Sequence, residues 1–154
     1  MTNEDLTYKL LTGEVVKNKL RTYYFSEPGN WVDGNGYPII EKLHREDGPA
    51  VEYFDGTKYW YLNGKRHRED SPAVEHANGS KYWFLNGKLH REDGPAVEYA
   101  NGIKEWWLNG RCHREDGPAV EQPDGTKLWW LNNTLLTEEE FNQQIKFNKQ
   151  MKSK

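Results

Sequence analysis

Long apolar runs are missing from this chain. No stretch approaches the roughly 20 residues that span a bilayer, and the start, MTNEDLTYKL, has neither the basic opening nor the apolar run of a secretory signal. A single cysteine, Cys112, excludes an intrachain disulfide. One-sided charge is missing too: 21 basic residues stand against 24 acidic ones, a net charge of −3. DNA, RNA and anionic membranes are therefore not the expected partners, and only the Lys-rich C-terminal tail could form a local basic patch. These absences predict a soluble, cytoplasmic protein. Leu, Ile and Val are scarce as well, and hydrophobic residues make up only 35% of the 154 residues. What the chain has instead is rings, with 14% aromatics including seven Trp. Each ring buries roughly 150–250 Å², so a core can rest on few of them.

The rings fall on a strict period. His44, His67, His90 and His113 each open the run HRED, followed by GPAV or, once, SPAV, always 23 residues apart. Trp60, Trp83, Trp106 and Trp129 keep the same interval, and so do Asn63, Asn86, Asn109 and Asn132. Such self-similarity marks a repeat architecture in which neighbours supply the burial a lone hairpin lacks. The predicted fold is an all-β array, an elongated antiparallel meander of hairpins closed by a C-terminal capping α-helix. Three regions follow: residues 1–43 as an N-terminal cap with a degenerate partial repeat, 44–133 as four repeats, and 134–154 as a capping helix with a basic tail.

Within each repeat, Asp55-Gly56, Asn78-Gly79, Asn101-Gly102 and Asp124-Gly125 are the dipeptides of a two-residue type I′ turn. Folding about that turn sets Val51 opposite Trp60, Val74 opposite Trp83, Val97 opposite Trp106 and Val120 opposite Trp129. This constant face, completed by Pro49 and Leu62 and their equivalents, is predicted to be the structural seam. The other face varies. Tyr61, Phe84, Trp107 and Trp130 would stand opposite the constant Ala, and Tyr59, Tyr82, Glu105 and Leu128 opposite the constant Glu. Of these, Tyr61, Phe84, Trp107, Trp130, Tyr59, Tyr82 and Glu105 are the candidate ligand- or partner-binding residues. The same rings would also serve as plain cover for a thin sheet, and both readings stay open.

HRED invites a metal or catalytic reading, because His with carboxylates binds zinc or performs acid–base work. Four consecutive side chains diverge, however, and neighbouring loops two strands apart lie about 10 Å from each other, too far to share an ion. The expected role is structural: Arg pairing with carboxylates, Asp capping the Gly-Pro turn, and the imidazole packing on a neighbouring loop. No catalytic residue, metal ligand or cofactor is assigned. Cys112 shares its slot with Arg66 and Leu89, which predicts an inert, half-buried thiol.

At the C-terminus Thr137 and Glu140 spell a capping box, with Leu136 set to staple Phe141. Phe141, Ile145 and Met151 would form a narrow apolar stripe. In residues 1–43, EDLTYKLL suggests a short helix, RTYYFSE a strand, and GNGYPIIEKL a worn second strand of a partial repeat.

The segment KYWFLNGKLHREDGPAVEYANG resembles a MORN repeat. Tyr82, Asn86-Gly87-Lys88, His90 and Asn101-Gly102 match the order of aromatic strand, Asn-Gly-Lys, basic stretch, second strand and Asn-Gly. Two departures mark a divergent branch: Glu-Asp-Gly-Pro or Glu-Asp-Ser-Pro stands where MORN repeats commonly carry Gly-x-Gly, and Tyr-Trp-aromatic-Leu replaces the Gly-Glu-Trp type of strand. The LHREDGPAV form is similar to repeats of bacteriophage and large DNA virus proteins. The resemblance implies a non-enzymatic scaffold that binds a partner protein, in a viral setting a host factor in the host cytoplasm. It also implies homodimerisation through end strands or the C-terminal helix, and for some members lipid association. Capture of a nucleotide by the aromatic face is the alternative from a different class.

Overall fold

The computed structural model describes residues 9–10, 14–18, 21–25 and 39–153. The chain forms antiparallel β-hairpins in series with one C-terminal helix, as the repeat predicts. It divides into two compact units, Met1–Lys88 and Leu89–Lys154. In the first lie β1 (Lys9–Leu10), β2 (Glu14–Asn18), β3 (Arg21–Tyr24), β4 (Val51–Tyr53), β5 (Lys58–Tyr59), β6 (Tyr61–Leu62), β7 (Lys65–Arg66), β8 (Val74–Glu75), β9 (Lys81–Tyr82) and β10 (Phe84–Leu85). Then β11 (Lys88–Leu89) leads into the second unit, with β12 (Val97–Glu98), β13 (Lys104–Glu105), β14 (Trp107–Leu108), β15 (Arg111–Cys112), β16 (Val120–Glu121), β17 (Lys127–Leu131), β18 (Thr134–Leu136) and α1 (Glu138–Lys152).

The first unit's sheet runs β1-β2-β3-β4-β5-β8-β9, and the second unit's runs β12-β13-β16-β17-β18. The order skips β6–β7 and β14–β15 because each pair is a separate two-stranded ribbon. The split falls at the tryptophan. Trp60 donates its N–H to Ala73 in the main sheet at 2.8 Å, while its carbonyl accepts from His67 in the ribbon at 3.2 Å. Trp106 does the same with Ala119 and His113, at 2.8 and 3.0 Å. Within each unit the hairpins run as the expected antiparallel meander, and the tryptophan strand serves a second ladder besides.

Turn chemistry corrects the predicted register. The two-residue loop with both central residues at positive φ is Asn63-Gly64 (φ 49° and 73°), with Asn86-Gly87 and Asn109-Gly110 alike. At Asp55-Gly56 only the glycine is positive, at 92°. There Tyr53 N–H bonds Thr57 carbonyl and Gly56 N–H bonds Tyr53 carbonyl, leaving a three-residue loop that ends in a bulge. The aspartate serves that loop through its side chain, which accepts from Thr57 N–H at 2.8 Å. One extra loop residue shifts pairing by one position and exchanges partners across the hairpin. Val51, Val74, Val97 and Val120 therefore face Tyr59, Tyr82, Glu105 and Leu128, not the tryptophans. Opposite the constant Glu52, Glu75, Glu98 and Glu121 stand Lys58, Lys81, Lys104 and Lys127. Tyr61, Phe84, Trp107 and Trp130, expected opposite the constant Ala, belong to the second ladder: Tyr61 pairs with Arg66, Trp107 with Cys112 and Trp130 with Leu135.

The repeat also begins earlier than expected. Tyr24 donates to Ala50 and accepts from His44, and the Arg45 guanidinium lies 3.9 Å over its ring. Tyr24 thus fills a tryptophan slot, β3 supplies the strand, and the bridge Phe25–Leu43 matches the pair Tyr61–Arg66. Ile40–Lys42 is a 3-10 turn rather than a strand, and Lys9–Leu10, expected in a helix, is extended. The remainder of EDLTYKLL, along with 26–38, lies outside the described residues. Tyr23, Phe25, Leu43, Ala50, Val51 and Tyr61 form the core beside this first turn of the array.

Helix α1 has both halves of its capping box, Thr137 with Glu140. Phe141 is buried with its ring 4.7 Å from that of Trp129, and Ile145 is half-buried. Met151 is 58% exposed, contrary to the expected stripe. Ten residues beyond Phe141, at 100° per residue, it sits about 80° off the packed line.

Gly64 and Gly56 separate two reasons for glycine. A Cβ at Gly56 meets nothing within 4 Å, so Gly56→Ala is expected to cost only the conformational penalty of about 1–2 kcal/mol. At Gly64 it would sit 2.6 Å from Glu41 Cα, so Gly64→Ala should add about 1–3 kcal/mol of overpacking. Urea unfolding of the two variants measures the difference.

Candidate functional site

The two faces of the hairpins do different things. On one, alternation places Ala50, Glu52, Lys58 and Trp60 together, and the HRED loop folds onto it. The guanidinium of Arg68 lies 4.2 Å over Trp60, and that of Arg114 lies 4.0 Å over Trp106. Each arginine also holds the glutamate of the following strand: Arg68 with Glu75 at 3.3 Å, Arg91 with Glu98 at 3.2 Å, Arg114 with Glu121 at 2.9 Å. A further bond from Nε reaches the aspartate of the same loop in Arg45–Asp47, Arg91–Asp93 and Arg114–Asp116, at 2.7–2.8 Å. Cross-strand Glu–Lys neighbours continue between repeats, Lys58 beside Glu75 and Lys104 beside Glu121, giving an alternating charge lattice.

The imidazoles have a defined task. His44, His67, His90 and His113 each accept at Nδ1 from the backbone N–H of Asn63, Asn86, Asn109 and Asn132, at 3.1 Å in every case. An accepting Nδ1 carries no proton, which puts the proton on Nε2, facing Glu46, Glu69, Glu92 or Glu115 at 3.7–3.9 Å. Among the described residues no three His, Cys, Asp or Glu side chains are grouped to hold a metal ion. Between successive loops lie grooves of about 710 Å³ over Trp60 and about 800 Å³ over Trp106. Their linings repeat nearly residue for residue.

The variable face is where the candidates gather. Tyr59, Tyr82, Glu105 and Leu128 share it with the valines, and Tyr61, Phe84, Trp107 and Trp130 follow two positions along. In the first unit the rings of Tyr53, Tyr59, His76 and Tyr82 form a continuous track, with centroids 5.6, 5.8 and 5.4 Å apart and the last two contacts edge-to-face. Arg66 stands beside it, 5.6 Å from the Tyr59 ring and 5.3 Å from that of Phe84, with Nε donating to the Tyr61 hydroxyl at 3.2 Å. Burial pushes the Tyr59 phenol up from its ordinary pKa. Tyr61 is only 7% exposed and acts as foundation rather than contact surface. In the second unit Trp107 donates its indole N–H to Glu105 at 2.9 Å. Trp107, Trp130, Phe84, Tyr59, Tyr82 and Glu105 are all half-buried.

Sequence reasoning passed over Tyr53, His76 and Arg66. The signal was present, since the position two after the constant valine reads Tyr53, His76, Tyr99 and Gln122, as variable as the chosen sites. Finding it required the corrected register. Trp60, Trp83, Trp106 and Trp129, predicted to line the valine seam, fall on the opposite face; Trp60 and Trp106 lie under arginines and Trp129 against the helix.

No family model, curated protein or solved structure matches this chain. Among the described residues no helix is long and apolar enough to cross a membrane.

Two expectations follow from ionisation. The hydrogen bond from Arg45, Arg91 or Arg114 holds Asp47, Asp93 and Asp116 below the ordinary carboxylate value. A depressed folded-state pKa means that the stabilisation is complete above the unfolded value of about 3.9 and is lost as pH falls through the lower, folded one. The urea midpoint should therefore fall as pH drops below about 4, and Asp93→Asn should flatten that fall. Burial pushes the Cys112 thiol up to about 12, with Glu105 adding to the shift. Iodoacetamide at pH 8 should leave Cys112 unmodified in the folded chain and alkylate it in urea, as read by mass spectrometry.

Proposed function

We propose that this chain is a non-enzymatic repeat scaffold that captures a partner protein on its variable face. One observation carries the reading: the positions that vary between repeats gather on one face of the hairpins, around the constant valines, while the opposite face repeats Ala, Glu, Lys and Trp unchanged. On the constant face each HRED arginine meets the glutamate of the following strand and each histidine accepts from the next Asn-Gly or Asn-Asn turn, which supports an architectural role there. The variable face changes its chemistry along the array, from the Tyr-His-Tyr track in the first unit to Glu105, Trp107, Leu128 and Trp130 in the second. A scaffold with a fixed back and an editable front is what recognition of one partner among many requires. In the viral setting suggested by the resemblance, that partner is a host factor in the cytoplasm, and the scaffold acts by occupying it.

Large half-buried rings with a polar tip are the groups that dominate protein interfaces. Trp107→Ala with Trp130→Ala should reduce capture of the native partner at least tenfold, each residue contributing about 2 kcal/mol or more as an interface anchor. Circular dichroism should show the fold retained. Affinity capture from host extract, quantified by mass spectrometry against the unmodified chain, is the measurement. Undiminished capture by the folded double variant refutes this surface. A thermal-shift screen with nucleotides separates base capture, which would raise the melting temperature with nucleotide concentration.

A further inference from the structure

Taking the variable face as the partner surface, we infer that the segment bound by the first unit is an extended, acidic peptide in the polyproline II conformation. It lies across the strands, with one carboxylate seated on Arg66. The rings recur with a fixed period along the array. Equivalent positions one repeat apart, Tyr53 with His76 and Tyr59 with Tyr82, are separated by two inter-strand spacings, about 9.6 Å. A polyproline II helix returns the same side every three residues, about 9.3 Å. An extended β-strand repeats a side every two residues, near 6.7 Å, and an α-helix every 5.4 Å, so neither stays in phase with the track. The interior of a sheet face also presents no backbone hydrogen-bonding edge. It suits a ligand whose own backbone remains hydrated, as polyproline II does, over one that must add a strand. Rings meeting edge-to-face, as Tyr59–His76 and His76–Tyr82 do at 88° and 82°, form ridges and notches in which prolyl rings fit.

Charge selects the sign. Among the described residues no carboxylate lies within ion-pair distance of Arg66, whose Nε bonds the Tyr61 hydroxyl. The same slot carries Leu43, Leu89 and Cys112 in the other repeats, so the array does not need a cation there. Set between Tyr59 and Phe84, the guanidinium is oriented beside the track and complements an acidic residue next to proline.

The test uses the full chain and a fluorescein-labelled dodecapeptide of Pro-Pro-Glu repeats, read by anisotropy. Controls are Pro-Pro-Lys repeats and flexible Gly-Ser-Glu repeats of equal charge. The expected result is binding of Pro-Pro-Glu, at least tenfold weaker binding of both controls, and about tenfold loss in Arg66→Leu, the loss typical of one charge-assisted bond. Tyr82→Ala, on the track itself, should weaken binding similarly and stands in should Arg66→Leu fail to fold. No binding of Pro-Pro-Glu, equal binding of the lysine peptide, an unchanged affinity in both variants, or displacement of the peptide by ATP at stoichiometric concentration overturns the inference. Failure here is distinguishable from failure of the surface: a native partner lost by the Trp107/Trp130 variant but fully retained by Arg66→Leu leaves the scaffold reading standing and removes this one.

Discussion

The hydrogen bonds that one repeat's Asn-Gly turn makes to the loop before it hold this architecture in register. Asn63 and Gly64 both adopt positive φ, which points two consecutive N–H groups the same way: one to His44 Nδ1, the other to the Leu43 carbonyl. A third bond, from Arg45 N–H to Tyr61 carbonyl, fixes the opposite strand of the ribbon. The pattern recurs within the first unit between Arg66-His67-Arg68 and Asn86-Gly87-Phe84, and within the second between Leu89-His90-Arg91 and Asn109-Gly110-Trp107. Strands of two residues are too short to stand alone, and isolated two-stranded ribbons are marginal in water. Clamping every ribbon to its predecessor supplies what strand length does not.

That clamp explains the composition. A chain poor in aliphatics cannot rely on a thick core, and among the described residues only a handful of large side chains are fully buried. Its repeats are joined instead by polar groups used in directional contacts and by cations laid over indoles. HRED is therefore a connector: its histidine takes the next turn, its arginine grips the following glutamate, Arg45, Arg68 and Arg114 each cover the preceding ring, and in three of the four copies the aspartate steadies the arginine. In a motif with the residue types of an active site, the histidine and arginine are engaged in holding neighbours together.

Much of this was legible in the sequence. The period, the hairpins, the capping box at Thr137 and the structural role of HRED follow from spacing and residue type. What could not be read was the pairing inside each hairpin. Asn101-Gly102 and Asn109-Gly110 are the same dipeptide, yet the first closes a three-residue loop through its asparagine side chain and the second a two-residue loop through its backbone. Choosing wrongly moved every partner by one position and set the tryptophans beside the valines. Tyr59, Tyr82, Glu105 and Trp107 stay on one face because residues two apart on a strand share a face in any register. Arg66 and His76 escaped notice because their neighbours are defined by the register alone.

Phe25 and Leu43 pair as Tyr61 and Arg66 do, yet residues 26–42 intervene where 62–65 suffice elsewhere. The Tyr24 bonds to Ala50 and His44 hold across that longer connection, so strand pairing at the base of this hairpin stands without an Asn-Gly turn at its tip.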